Sequence, residues 1–241
     1  MDRVKLAIVG MGRMGRAIDA LAADRGFEVV ARIDAHDAGG GIDATQLDGA
    51  QVAIEFTVPS ATPSNIRALA AARCPVVVGT TGWHAELEGV SHDVTQAGSA
   101  MLWAPNFSIG VNIFDRVVAE ASRMLAHVAG FDAHLVETHH TAKNDAPSGT
   151  AIMLAKTAAE ALGREIPVTS VRTGSVPGTH EVVFDAPFET IRLEHVARDR
   201  RVFAEGALLA ARWLTGRKGI FQMKDVLDPA QASSLRTNDH D

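Results

Sequence analysis

The sequence has 241 residues, 46% of them hydrophobic and 22% charged, with a formal net charge of −6. That length suits two domains with a sizeable core, and the balance excludes disordered and fibrous chains. Mild acidity argues against a nucleic-acid partner, which needs a basic stripe, but not against a small anion held by a local cluster of Lys, Arg and His.

Taken in chain order, Val4 to Val9 is an apolar run bounded by glycine and reads as a buried strand. Arg16 to Arg25 has Ala17, Ile18, Leu21 and Ala22 at helical spacing, ends at Gly26, and is followed by a second strand from Phe27 to Ile33. Strand, turn, helix and strand within about thirty residues make one crossover unit. Gly39-Gly40-Gly41 reads as a flexible loop. Val52 to Thr57 and Val76 to Val78 are further strands around a helix from Pro63 to Arg73, and Met101 to Ala104 is another strand candidate. Strands alternating with helices predict a doubly wound parallel sheet of Rossmann type.

The texture changes near Asn106. A long helix is expected from Val111 to Leu125, a strand from Phe131 to Glu137, a polar segment from Thr138 to Thr150, and a helix from Ala151 to Leu162. Val168 to Arg172, Glu181 to Phe184 and Glu189 to Leu193 alternate as strands of a mixed sheet with one apolar face. A helix from Gly206 to Leu214 and a segment from Gly219 to Leu227 close the fold, and the polar residues from Pro229 read as a frayed tail. Chain order therefore gives a dinucleotide-binding domain from residues 1–107 and 201–241, and a smaller α+β domain from residues 108–200 for substrate binding and oligomerisation. No run approaches the ~18 apolar residues of a membrane span. The first residues lack the features of a signal peptide, so the protein is read as cytoplasmic, without a membrane partner. Cys74 has no second cysteine to pair with and reads as a small buried hydrophobe.

Two segments carry chemistry. Gly10-Met11-Gly12-Arg13-Met14-Gly15 follows a strand and opens a helix. Gly10 permits the tight turn, Gly12 lets a pyrophosphate approach the backbone, and Gly15 allows the helix to pack closely. The helix start favours the anionic phosphates. Asp34 closes the second strand at the position that accepts hydrogen bonds from both ribose hydroxyls, which favours NADH. Ala35 and His36 follow it instead of an arginine, while Arg13 could meet a 2′-phosphate, so NADPH stays open.

The second segment runs Glu137-Thr138-His139-His140-Thr141-Ala142-Lys143-Asn144-Asp145-Ala146-Pro147-Ser148-Gly149-Thr150. Ser148 is a natural N-cap after Pro147. The helix start and Lys143 together suit a carboxylate or phosphate, and a histidine beside them can supply a proton near neutral pH. A metal is not expected: adjacent residues in an extended segment face opposite ways, so His139 and His140 are poorly placed to chelate one ion. The residues alone leave a solvated polar loop as the alternative.

That block, from His139 to Ala151, resembles the signature of the dihydrodipicolinate reductase (4-hydroxy-tetrahydrodipicolinate reductase) family. Gly79-Thr80-Thr81-Gly82, Pro105 to Asn112 and Gly219 to Leu227 resemble the family's other blocks, so the likeness covers nearly the whole chain. It implies reduction of 4-hydroxy-tetrahydrodipicolinate, through dihydrodipicolinate, to tetrahydrodipicolinate by NADH or NADPH in diaminopimelate and lysine biosynthesis. His139 then matches the general acid and Lys143 the second catalytic residue. His140, Ser148, Gly149 and Thr150 match contacts to the dicarboxylate substrate. Gly79, Thr80 and Thr81 match the loop near the nicotinamide; Pro105, Asn106 and Phe107 match the block after it; Arg200 falls near a hinge. The likeness also implies a homotetramer and domain closure over the ligands. The glycine turn is one residue shorter than in some members, and Thr173 to Thr190 is compact. Competing readings are another two-domain NAD(P)-dependent oxidoreductase, such as a sugar or amino-acid dehydrogenase, and a non-catalytic NAD sensor; neither needs the His-His-x-x-Lys spacing.

Overall fold

The computed structural model describes residues 3–34 and 42–228. The expected loop at Gly39 to Gly41, Ala35 and His36 after Asp34, and the tail from Pro229 lie outside the described residues. The chain forms two compact units, one from its start to Phe107 and again from Phe203, the other spanning Ser108–Val202.

The first unit holds β1 (Val4–Val9), α1 (Arg13–Ala22), β2 (Phe27–Ile33), β3 (Val52–Glu55), α2 (Thr62–Ala71), β4 (Val76–Val78), α3 (Leu87–Gln96) and β5 (Ala100–Trp103). Its strands are short and apolar on both faces. Leu6 and Ile8 are buried on one side of β1, while Ala7 and Val9 join the cluster under Ile66, Leu69, Val90 and Val94 on the other. A strand buried on both faces belongs in the middle of a parallel sheet covered by helices. The helix α3 is not expected from the sequence, because Leu87, Val90 and Val94 are its only large apolar residues among polar ones. They nonetheless repeat at helical spacing, and the last two are fully buried.

In the second unit lie α4 (Ile109–Leu125), β6 (Asp132–His139), α5 (Gly149–Leu162), β7 (Val168–Arg172), β8 (Thr179–Ala186) and β9 (Glu189–Val196). The helix α6 (Arg201–Leu214) then begins five residues before the expected Gly206. That glycine is a packing contact rather than a helix start: a Cβ on it would meet the carbonyl oxygen of Phe107 at 1.7 Å. The chain ends, within the described residues, with β10 (Gly219–Phe221) and the short helix α7 (Met223–Val226).

The six strands of the first sheet run in the order β10-β5-β4-β3-β1-β2, all parallel. The chain leaves β1 to one side for β2 and returns to the other for β3, so the crevice at their carboxyl ends is the switch point where such sheets bind ligands. The second sheet runs β7-β6-β8-β9, with β6 parallel to β7 and the other pairs antiparallel. One face of it packs on α4 and α5, burying Phe114, Val118, Leu135, Leu154, Val182 and Phe184. No helix among the described residues is long and apolar enough to cross a membrane.

Candidate active site

In the first unit the glycine turn divides its work between its three glycines. Gly10 has φ +94°, and a Cβ there would lie 2.1 Å from the carbonyl oxygen of Phe56. A Cβ on Gly15, inside the first turns of α1, would lie 2.0 Å from the carbonyl oxygen of Gly10. Around Gly12, the N-cap of α1, no atom would come within 4 Å of a Cβ. Two glycines thus make the turn and the packing, and the third faces open space at a helix N-terminus, where a phosphate can reach the backbone. Beside them is a cleft of about 260 Å³ lined by Gly10, Gly12, Ile33, Asp34, Phe56 and Thr57, among others. A dinucleotide fits these residues: backbone for its phosphates, the Asp34 carboxylate for its ribose, and apolar walls between.

Met11 and Met14 are half-buried, and Arg13 is exposed at the first helical position. Of the other residues assigned to the cofactor, Gly79, Thr80 and Phe107 converge on Phe56 and Thr57, which sequence reading passed over. Gly79 lies so close to the Phe56 ring that a Cβ would sit 2.1 Å from it. The backbone N–H of Thr57 donates to the Thr80 hydroxyl at 2.7 Å, and the Phe107 ring stands edge-on to Phe56 at 6.0 Å. Thr81 and Pro105 are exposed and Asn106 half-buried. Behind this loop Glu55 is wholly buried and accepts from Thr57, Thr62 and Asn65, with burial holding its pKa above the ordinary value. Cys74 is also buried, which pushes its thiol up to about 12 and leaves it unreactive.

In the second unit the strand β6 continues two residues beyond its expected end, which carries His139 out of the loop and into the sheet. Alternation then places Ala133, Leu135, Glu137 and His139 on one face, the face under the helices. The first two belong to the apolar core; the last two turn its end polar. Register extends this polar layer across the sheet. Glu137 is opposite Ser170 on β7 and His180 on β8, His180 is opposite His195 on β9, and His139 is opposite Arg172.

Glu137 is the hub. It is 0% exposed, and its Oε1 accepts from the Ser148 backbone N–H at 3.0 Å, the Ser170 hydroxyl at 2.7 Å and Arg172 at 2.8 Å. Burial alone would raise its pKa, but the hydrogen bonds from Ser148, Arg172 and Ser170 outweigh it and bring the carboxyl down to about 2. Its Oε2 lies 2.8 Å from Nδ1 of His139, an oblique approach that leaves neither atom in a well-formed hydrogen bond. His139 is 7% exposed. Burial lowers its pKa; the Glu137 charge opposes that, while Lys143 and Arg172 add to it. Its Nε2 faces Gly178, where a Cβ would sit 3.0 Å away. The His180 ring stands edge-on to His139 at 5.2 Å and reaches the Ser148 hydroxyl at 3.3 Å. Burial, then the neighbouring His139, lower its pKa to about 4.

Ser148 caps α5, its hydroxyl accepting from the N–H of Ala151 at 3.2 Å. Gly149 and Thr150 form the first turn, and no atom would meet a Cβ on Gly149 within 4 Å, so the backbone there is open to a ligand. Lys143 is half-buried, its ammonium 2.7 Å from Asp145. His140 is half-buried and held by its backbone N–H, which donates to Val176 at 2.8 Å. His139 is buried, whereas His140 is half-buried just beyond the end of β6. Among the described residues the group with metal-ligand spacing is Glu137, His139 and His180, whose ligand atoms lie within 4.8 Å of one another. A cation there would face the Arg172 guanidinium on the same carboxylate, so the cluster suits proton handling better.

Fold and site together define a Rossmann-type, NAD(P)-binding oxidoreductase whose second unit carries a buried His139–Glu137 pair beside the Ser148-capped start of α5. Comparison with known proteins narrows this. Residues 4–107 match the model of the dihydrodipicolinate reductase N-terminus, and residues 110–227 that of its C-terminus. The chain is 35% identical over 236 residues to the 4-hydroxy-tetrahydrodipicolinate reductase of Christiangramia forsetii, covering 93% of this chain and 98% of that one. It is 37% identical over 253 residues to the reductase of the same name from Methanoregula boonei, covering 92% and 97%. The dipicolinate-bound dihydrodipicolinate reductase of Paenisporosarcina sp. TG-14 shares the fold at a TM-score of 0.78, with 21% identity over 94% of this chain and all of that one. The chain belongs to the dihydrodipicolinate reductase family.

Proposed function

We propose that this chain reduces 4-hydroxy-tetrahydrodipicolinate, by way of dihydrodipicolinate, to tetrahydrodipicolinate in diaminopimelate and lysine biosynthesis. The observation that carries the reading is the buried His139–Glu137 pair beside the Ser148-capped start of α5. A cyclic dicarboxylate needs an anion cradle at each end, and a helix N-terminus with a lysine nearby supplies one. Gly149 and Thr150 offer backbone N–H groups, and Ser148 keeps that backbone in place through its bond to Glu137. Lys143 exchanges its partner Asp145 for the substrate's negative charge. His140 borders the same segment and completes the substrate contacts. His139 holds at Nε2 the proton that the reduced ring takes up, and a bound dicarboxylate adds the negative charge that favours its protonated form. The nicotinamide, when bound, supplies the hydride.

For the first unit, we assign Gly10, Met11, Gly12, Arg13, Met14 and Gly15 to the phosphates and Asp34 to the ribose. Gly79, Thr80, Thr81, Pro105, Asn106 and Phe107 form the nicotinamide end. Asp34 at the end of β2 favours NADH, with exposed Arg13 leaving NADPH usable. Met124, Ile113 and Val117 on α4 and Ile152 on α5 are exposed apolar residues that support self-association into a homotetramer. Steady-state reduction with NADH and NADPH in parallel, on 4-hydroxy-tetrahydrodipicolinate generated in situ, tests the reading. Cofactor is consumed with the higher kcat/KM for NADH; no consumption by the folded protein overturns the proposed reaction.

A further inference from the structure

We propose that Glu137 is the positioning residue of this site: its Oε1 locks the substrate-binding start of α5, and its Oε2 holds the Nδ1 proton of His139 so that Nε2 faces the substrate. The inference rests on the reading of His139 as the acid. The bonds to Oε1 come from two parts of the unit: the Ser148 backbone at the mouth of α5, and Ser170 and Arg172 on β7. Arg172 also donates to the carbonyl oxygen of Asp145, tying the loop that carries Lys143 to the same carboxylate. The other oxygen has His139 Nδ1 at 2.8 Å and His180 Nε2 at 4.0 Å, and both Oε2 and Nδ1 are buried without a well-formed hydrogen bond. At that separation the two buried atoms are each other's nearest available donor and acceptor. A buried, permanently ionised carboxylate against one ring nitrogen fixes which tautomer the neutral histidine adopts and stabilises its cation. Glu137 stays ionised throughout the working range because its own pKa is depressed to about 2.

The charged and titratable groups facing His139 are Glu137 on its own strand, Lys143 and Asp145 on the following loop, Arg172 on β7 and His180 on β8. Among the neighbours on other strands, Arg172 and His180 add no negative charge, so Glu137 is the anion that sustains the imidazolium from within the sheet. Removing its charge while keeping an acceptor oxygen separates positioning from scaffolding. Glu137→Gln retains an oxygen for Ser148 and Ser170 but leaves Arg172 unopposed.

The experiment is the pH profile of kcat/KM for wild type and Glu137→Gln, with NADH affinity measured separately by calorimetry. In wild type the rate falls above the His139 pKa, as a general acid requires. In the variant that inflection moves down by about one pH unit, the lower end of what a neighbouring opposite charge contributes. Turnover above it drops about tenfold as a result, and NADH affinity is unchanged. A uniform loss at every pH with the inflection unmoved means a structural role and overturns the proposal. Should the variant not fold, ¹⁵N NMR of wild-type imidazoles decides: neutral His139 carries its proton on Nδ1 if the proposal holds, and on Nε2 if it does not. Absence of turnover by folded wild type defeats the proposed reaction alone, since the tautomer is read without substrate.

Discussion

Acid should unfold the second unit through His180 before the carboxylates respond. This ring is 4% exposed, and its burial and the adjacent His139 lower its pKa from 6.5 to about 4. Between those two values the unfolded chain binds a proton that the folded chain refuses. Stability is therefore complete above pH 6.5 and is lost as the pH falls through the window down to about 4. At about 1.4 kcal/mol per unit of pKa difference, the loss attributable to this one ring is roughly 3 kcal/mol, a large part of a typical domain's stability. Glu137 responds later. Its folded pKa of about 2 lies below the ordinary 4.5, so its contribution persists above pH 4.5 and fades only below it. Urea unfolding followed by circular dichroism at a series of pH values between 7 and 4 measures the effect, with His180→Gln as reference because glutamine can still meet the Ser148 hydroxyl. Wild type should lose about 3 kcal/mol more than the variant across that range. Parallel loss in the two proteins would refute the assignment of a buried neutral His180.

Three further substitutions probe other parts of the site. Gly12→Ala meets no atom within 4 Å. It should leave the melting temperature unchanged and weaken NADH binding at least about tenfold, because the methyl group occupies the phosphate approach. Gly10→Ala forces a Cβ to 2.1 Å from the Phe56 carbonyl at φ +94°, and thermal unfolding should show a loss of about 1–3 kcal/mol or more. Lys143→Ala removes the ammonium now held by Asp145; steady-state kinetics should show kcat/KM for the dicarboxylate down by about 10²–10³ with NADH affinity intact.

The parts of this fold that depend on near neighbours in the chain are legible in the sequence. β1, β2 and β4 begin and end where apolar runs and turn residues place them, because a buried parallel strand is a short apolar segment with turn residues at its ends, and β7 begins and ends where its alternation places it. The glycine turn and the segment from His139 to Thr150 are equally visible, since each is contiguous. The hub of the second site is not. Glu137, Ser170, Arg172 and His180 come from three strands, and only the register of β6 with β7 and β8 brings them together. A signal is present: Ala133, Leu135, Glu137 and His139 share one alternating phase, as do His180, Val182 and Phe184. An apolar stripe that ends in ionisable residues on adjacent strands marks a polar layer at the edge of a core. Phe56 and Thr57 are hidden for a similar reason, because their role depends on Gly79 and Phe107 arriving from elsewhere. The start of α6 is misplaced by sequence reading because Gly206 looks like a boundary, whereas it is the point at which the helix touches the Phe107 backbone.

The most direct measurement follows nicotinamide absorbance when NADH and 4-hydroxy-tetrahydrodipicolinate are mixed with wild type and, separately, with His139→Gln. Wild type should consume the cofactor, while the variant binds NADH equally well and turns over about 100-fold more slowly or worse, the loss expected when a general acid is removed. Equal turnover by the two proteins, or no consumption by folded wild type, would contradict the role given to the second unit.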